Sequence, residues 1–196
     1  MKALKHRHAR RCVAALLLGT CATVVQAHDD GTWLEWERIV GIIQPSGLVG
    51  WPSDGECNIG IDCFLGTPAP WSTTEGTAAV NLHYGDVRFV VKGLVVAGDP
   101  SFSNLGTTSV IRKVKGTVVC NDTAPGVPVF VDTPAVQLSK RGNAQFRGHL
   151  ALPSRCLSEP NDVVFLIRIA EISGGPPLVD LWNAFGAVRR MTNTSQ

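Results

Sequence analysis

The sequence predicts an all-β fold: a single antiparallel β-sandwich with one long irregular loop near residues 44–74. Three observations point there. Short β-branched segments recur along the chain, turn residues separate them at close spacing, and no segment carries a convincing 3.6-residue apolar period. A chain that buries itself with strands alone must pack sheet on sheet or close a barrel.

Each element follows from its own pattern. Trp33 to Ile43 sets Trp33, Glu35 and Glu37 against Leu34, Trp36 and Arg38, a mixed alternation compatible with strand or helix. Thr77 to Leu82 is short and alternating, and Val87 to Val96 is long and β-branched, with Gly93 as a bulge or a crowded point. Between them His83-Tyr84-Gly85-Asp86 reads as a hairpin turn. Val110 to Cys120 puts Val110, Val114 and Val118 on one side, with Arg112, Lys113 and Lys115 toward solvent. Val127 to Val131 and Ala135 to Leu138 are short strands bounded by prolines, the second at a sheet edge. After the polar turn Ser139 to Asn143, Ala144 to Leu152 alternates cleanly, Ala144, Phe146, Gly148 and Leu150 against Gln145, Arg147, His149 and Ala151. Val163 to Ile169 is apolar almost throughout, as a central strand is, and Leu178 to Val188 follows a Gly-Gly-Pro-Pro turn. About eight strands so arranged fit an immunoglobulin-like or jelly-roll sandwich.

The first 27 residues read as a secretory signal peptide. Lys2, Lys5, Arg7, Arg10 and Arg11 form a basic start, Val13 to Val25 is apolar, and Val25-Gln26-Ala27 gives a small-residue exit. The apolar run of 13 residues falls short of a membrane span, which needs about 20. Lipidation at Cys21, in Leu18-Gly19-Thr20-Cys21, is the alternative processing. Cleavage leaves one domain over 28–188 and a flexible tail over 189–196, secreted or periplasmic, with no transmembrane segment. It also removes five of 18 basic residues and none of 16 acidic ones, so the remaining chain carries about −3. Nucleic acid is therefore not an expected partner.

Two of six cysteines leave with the leader; Cys57, Cys63, Cys120 and Cys156 remain. Four cysteines in an exported chain predict two disulfides. Cys57–Cys63 would close a short loop, and Cys120–Cys156 would join a strand end to a later loop. No Cys-x-x-Cys pair supports zinc.

The motifs of serine hydrolases, zinc proteases and nucleotide-binding folds are absent from the sequence. The expected activity is thus a non-enzymatic binding or structural module of the envelope or extracellular space, requiring no cofactor. Its partner would be a protein or a carbohydrate, met at the 44–74 loop. Two metals have candidate ligands. Asp54, Glu56, Asn58 and Asp62 place oxygen side chains through one loop, as calcium prefers. Cleavage after Ala27 would leave His28 as an N-terminal residue, able to chelate copper through its α-amino and ring nitrogens. His83 or His149 would supply the next nitrogen. This feature resembles the lytic polysaccharide monooxygenases and some periplasmic copper-binding proteins. The resemblance covers His28 and the fold class, and it implies copper binding or oxidation of polysaccharides. Trp33, Trp36, Trp51 and Trp71 would then offer a flat surface for sugars.

Overall fold

The computed structural model describes residues 31–42, 48–50, 63–65, 70–98, 100, 103–120, 128–174 and 181–193. Its strands are β1 (Thr32–Gly41), β2 (Leu48–Gly50), β3 (Cys63–Leu65), β4 (Trp71–Ser72), β5 (Glu75–Asn81), β6 (Asp86–Lys92) and β7 (Val95–Val96). There follow β8 (Ile111–Cys120), β9 (Val129–Asp132), β10 (Val136–Gln137), β11 (Ala144–His149), β12 (Val163–Ile172) and β13 (Trp182–Asn193). A single helical turn, α1 (Ser154–Ser158), and a 3-10 turn at Pro160–Asp162 lead into β12.

One antiparallel sheet holds most of these strands in the order β10-β8-β12-β13-β1-β5-β6-β11, with β9 also on β8. It curls into a sandwich-like section. β6 and β12 are four places apart in the order, yet Phe89 and Phe165 bring their ring centroids within 5.8 Å across the core. Trp36 of β1 joins them, 5.6 Å from Phe165. Gly116 of β8 lies under both phenylalanines: a Cβ there would come within 2.7 Å of Phe165 and 2.8 Å of Phe89. The turn closed by Ser139 N to Asn143 O (3.0 Å) then carries the chain from β10, at one edge, to β11, at the other.

Period-two alternation supplies the core as the sequence predicts. In β6, Val87, Phe89 and Val91 are buried while Arg88, Val90 and Lys92 face out. β12 lies between β8 and β13 and is buried along most of its length. β10 sits at an edge.

Several boundaries differ from expectation, each for a local reason. The N-terminal segment is a strand whose alternation slips: Leu34, Trp36 and Ile39 are buried while Glu37 and Arg38 are both exposed. Across from Glu37 the β13 partner Val188 takes φ 52°, a left-handed conformation that a β-branched residue rarely adopts, and the pairing skips this position. The predicted strand Val87 to Val96 divides at Gly93, whose φ is +62°; β6 pairs with β5 and β11, whereas β7 pairs with β4. Val110 precedes β8 and is 49% exposed, so it does not join Val114 and Val118 inside. The last strand runs through 189–193, the predicted flexible tail, because these residues pair with Thr32 to Trp36. Arg189 also donates to the carbonyls of Pro160, Asn161 and Val163, at 3.2, 2.9 and 2.8 Å, and so ties β13 to the start of β12. Within the predicted long loop, β2 pairs with β3, and Trp71 of β4 is buried.

Cys120 and Cys156 stand at disulfide distance, with Cα atoms 5.0 Å apart, and fasten α1 to the end of β8. The pairing of Cys57 with Cys63 lies outside the described residues, as do the signal peptide and Cys21.

A polar network crosses β8, β9 and β12. Asp132 accepts from Lys115, from Thr117 Oγ1 at 2.6 Å and from Arg168 at 3.1 Å. Arg168 is 4% exposed and lies 5.1 Å over the Phe130 ring. Burial raises the Asp132 carboxyl, but the bonds from Lys115 and Thr117 and the charges of Arg168 and Lys115 outweigh it and hold the group below its ordinary value. A depressed aspartate stabilises the fold at pH values above the unfolded pKa, and that stability is lost as pH falls through the folded pKa. Asp132→Asn should therefore cost about 2 kcal/mol at neutral pH, below the 3–5 of a fully buried pair, because Asp132 is 34% exposed. Urea unfolding of both proteins should show the gap closing below about pH 4; a gap unchanged down to pH 2 would rule out this role.

Candidate functional site

The outward residues of β1, β5, β6 and β11 form rows across the sheet. Register fixes which residues share a row. Glu35 pairs with Arg190 on one side and Ala79 on the other, Ala79 with Arg88, and Arg88 with Arg147. On one side of this row lie Glu37, Thr77, Val90 and Gln145, with Val90 opposite both Thr77 and Gln145. On the other side lie Trp33, Asp86 and His149, the last two directly paired.

Ala79 lies between much longer neighbours, Glu35 and Arg88, which pair across it and leave it 3% exposed. A cavity of about 780 Å³ opens on this face, lined by Glu35, Glu37, Thr77, Arg88, Gln145 and Arg147 among others. A second hollow of about 220 Å³ adjoins it, lined by Trp33, Asp86, Arg88, Arg147 and Gly148. Arg88 and Arg147 border both. The hollow crosses four strands, about 14 Å at the usual interstrand spacing.

The charges of this face are held in place. Arg88 donates to Glu35 at 3.3 Å, and its guanidinium carbon lies 5.5 Å from the Trp33 ring centroid. Arg190 engages Glu37 through its Nε. Among the described residues Arg147 has no ion pair. A guanidinium held by a carboxylate and an aromatic face keeps the rest of its donor fork for a ligand, and it loses little side-chain entropy when one binds.

The histidines predicted as copper ligands lie at the end of this face. His149 Nδ1 is 3.7 Å from Asp86. His83 is exposed in the hairpin after β5 and meets Tyr84 edge-on at 4.8 Å. The two histidines border one turn: the Cβ position of Gly85 is 3.1 Å from His149 Cε1. Gly31 abuts the same hairpin, its Cβ position 3.1 Å from His83 Cβ. His28 lies outside the described residues, as do the calcium candidates Asp54, Glu56, Asn58 and Asp62. Among the described residues no three His, Cys, Asp or Glu side chains gather as a metal site.

The aromatic surface is not assembled as the sequence reading had it. Trp36 and Trp71 are core residues, 2% and 4% exposed, and Trp51 is outside the described residues; Trp33 borders the smaller hollow and Trp36 the larger. Nothing in the sequence singles out Glu35, Arg88, Gln145 or Arg147 as site residues, although alternation places Gln145 and Arg147 on the polar side of their strand. No protein-family model, curated protein or solved structure matches the chain. Among the described residues no helix is long and apolar enough to cross a membrane.

The Arg88–Glu35 pair is exposed on both sides, so it should shape the hollow more than it stabilises the fold. Glu35→Ala should change unfolding free energy by less than about 1 kcal/mol in urea titrations at physiological salt. A loss above about 2 kcal/mol would make the pair structural.

Proposed function

We propose that this protein is an exported, non-enzymatic binding module that takes a carbohydrate chain along the outer face of β1, β5, β6 and β11. The observation that carries the reading is the hollow across β1, β5, β6 and β11, bordered by polar side chains of which Glu35, Glu37 and Arg88 are already tied in ion pairs. A sugar chain offers hydroxyl groups along its whole length, and each can both donate and accept a hydrogen bond. The hollow matches that need with guanidinium and amide donors (Arg88, Arg147, Gln145), carboxylate acceptors (Glu35, Glu37) and the Thr77 hydroxyl. The rest of the lining is apolar, Val90 and Phe146 among it, and offers surface to the carbon faces of sugar rings. Export rests on the pattern of residues 1–27 and on the Cys120–Cys156 pair, since disulfides persist in oxidising compartments.

Calorimetry with a panel of soluble oligosaccharides tests this. At least one should bind, and Arg88→Ala should weaken it by about tenfold or more, the loss of one charged hydrogen-bonding group. Its unfolding midpoint should stay close to that of the unaltered protein. Failure of every oligosaccharide, or full affinity in Arg88→Ala, would remove the carbohydrate reading.

A second reading is favoured by the contact of Gly31 with His83. His28 precedes Gly31 by three residues, a stretch of chain spanning at most about 11 Å. A copper ion held by the amino group and ring of an N-terminal His28 would then take the His83 ring as its next nitrogen. A chain exported and processed to begin at His28 should bind Cu(II), and His83→Ala should weaken binding about tenfold, one ligand's worth in the usual range for metal sites. Unchanged affinity, or a mature start other than His28, would sink the copper reading.

A further inference from the structure

The carbohydrate reading can be taken a step further, to the charge of the sugar. Directly opposite residues of an antiparallel pair stand closest across a sheet, and like charges there are destabilising. Arg88 and Arg147 occupy such a pair on β6 and β11. Their neighbours compensate only one of them. Glu35 takes Arg88, and Glu37 takes Arg190. That leaves Arg147 as a cation without a carboxylate among the described residues, beside a second guanidinium, at the boundary shared by both hollows.

We infer that the ligand carries a carboxylate, and that the Arg147 guanidinium, with Arg88 beside it, receives it: the preferred occupant is a hexuronate oligosaccharide. This rests on the carbohydrate reading above. A guanidinium and a carboxylate are both planar forks and pair through two parallel hydrogen bonds. The arrangement of charge selects the kind of anion. Glu35, Glu37 and Asp86 surround the two arginines and line the same hollows. A ligand with closely spaced phosphates would meet those carboxylates and be repelled. Each uronate ring carries its carboxylate on one edge and hydroxyls on the others, so one carboxylate can sit on the arginine pair with hydroxyls against Thr77, Gln145 and the acidic residues, while the carboxylates of adjoining rings turn to solvent. Binding would also relieve the repulsion that the empty face carries.

That last consequence makes the test specific, because a site residue of this kind weakens the unliganded fold. Calorimetry on the full exported chain would compare oligomers of galacturonate, glucuronate and mannuronate with their carboxyl-reduced, neutral counterparts. At least one uronate should bind ten or more times tighter than its neutral counterpart, with affinity falling as salt is raised. Arg147→Gln should erase that difference while keeping the weaker neutral binding, and its melting temperature without ligand should equal or exceed that of the unaltered protein. Arg147→Lys, which keeps the charge but loses the fork, should retain part of the preference. Equal affinity for charged and neutral oligomers, or a preference that survives Arg147→Gln, overturns the inference and leaves the carbohydrate reading standing. Binding of no oligomer overturns both.

Discussion

Gly116 leaves space where Phe89 and Phe165 meet, and the curl of the sheet depends on that meeting. The two rings belong to strands far apart in the sheet order, so they can touch only if the sheet bends until its halves face each other. A methyl group on residue 116 would stand closer than 3 Å to both rings, which the packed core cannot yield without moving a strand. The bend has a second consequence. It brings the edges β10 and β11 near enough for one short turn to join them, and so it limits the exposed strand edge that would otherwise invite pairing with another chain.

Around that core the rim is fixed by three devices of different kinds. The Cys120–Cys156 bridge spans 36 residues of chain and contributes about 4 kcal/mol in the chain-entropy account. Arg189 meets three carbonyls with one guanidinium nitrogen and carries no carboxylate partner in that role, so it acts as a hydrogen-bonding clamp at the entry to β12. The Asp132 carboxylate pairs with a nearly buried arginine on β12, where an unmatched charge would be costly. None of these lies on β5, β6 or β11. The strands that bear most of the hollow are held by pairing, by core packing and by exposed ion pairs such as Lys92–Glu75, which are worth little to stability.

Much of the fold was legible in the sequence because alternation is a local signal. Phe89 between Arg88 and Val90, and Phe146 between Gln145 and Arg147, declare their inner and outer faces without any knowledge of neighbours. Where the sequence misled, the cause was a break in that periodicity. Glu37 and Arg38 both point outward, so the pattern of β1 fits strand or helix; Gly93 redirects the chain, so one long apolar run is two strands in different sheets. Thr192 and Asn193 were read as tail because their partners, Trp33 and Thr32, lie some 160 residues earlier. The site was not legible for the same reason. Glu35, Ala79, Arg88 and Arg147 share a row only through three strand registers, and nothing local to any one of them announces the others.

The row itself departs from the charge pattern of a merely solvated face. A surface chosen for stability alone would place opposite charges across each strand pair, as Glu35 does with Arg190 and Arg88 and as Glu75 does with Lys92. At β6–β11 the pattern changes, and two guanidiniums stand opposite each other beside the two adjoining hollows. Local stability does not explain that choice, because an acidic or neutral residue at 147 would serve it better. Ala79, in the same row, is small enough for Glu35 and Arg88 to pair across it, so the charge of Arg88 is spent toward β1 while that of Arg147 is not. On the proposed reading, the ligand's anionic group therefore belongs on the β11 side of the hollow, away from the carboxylates of β1.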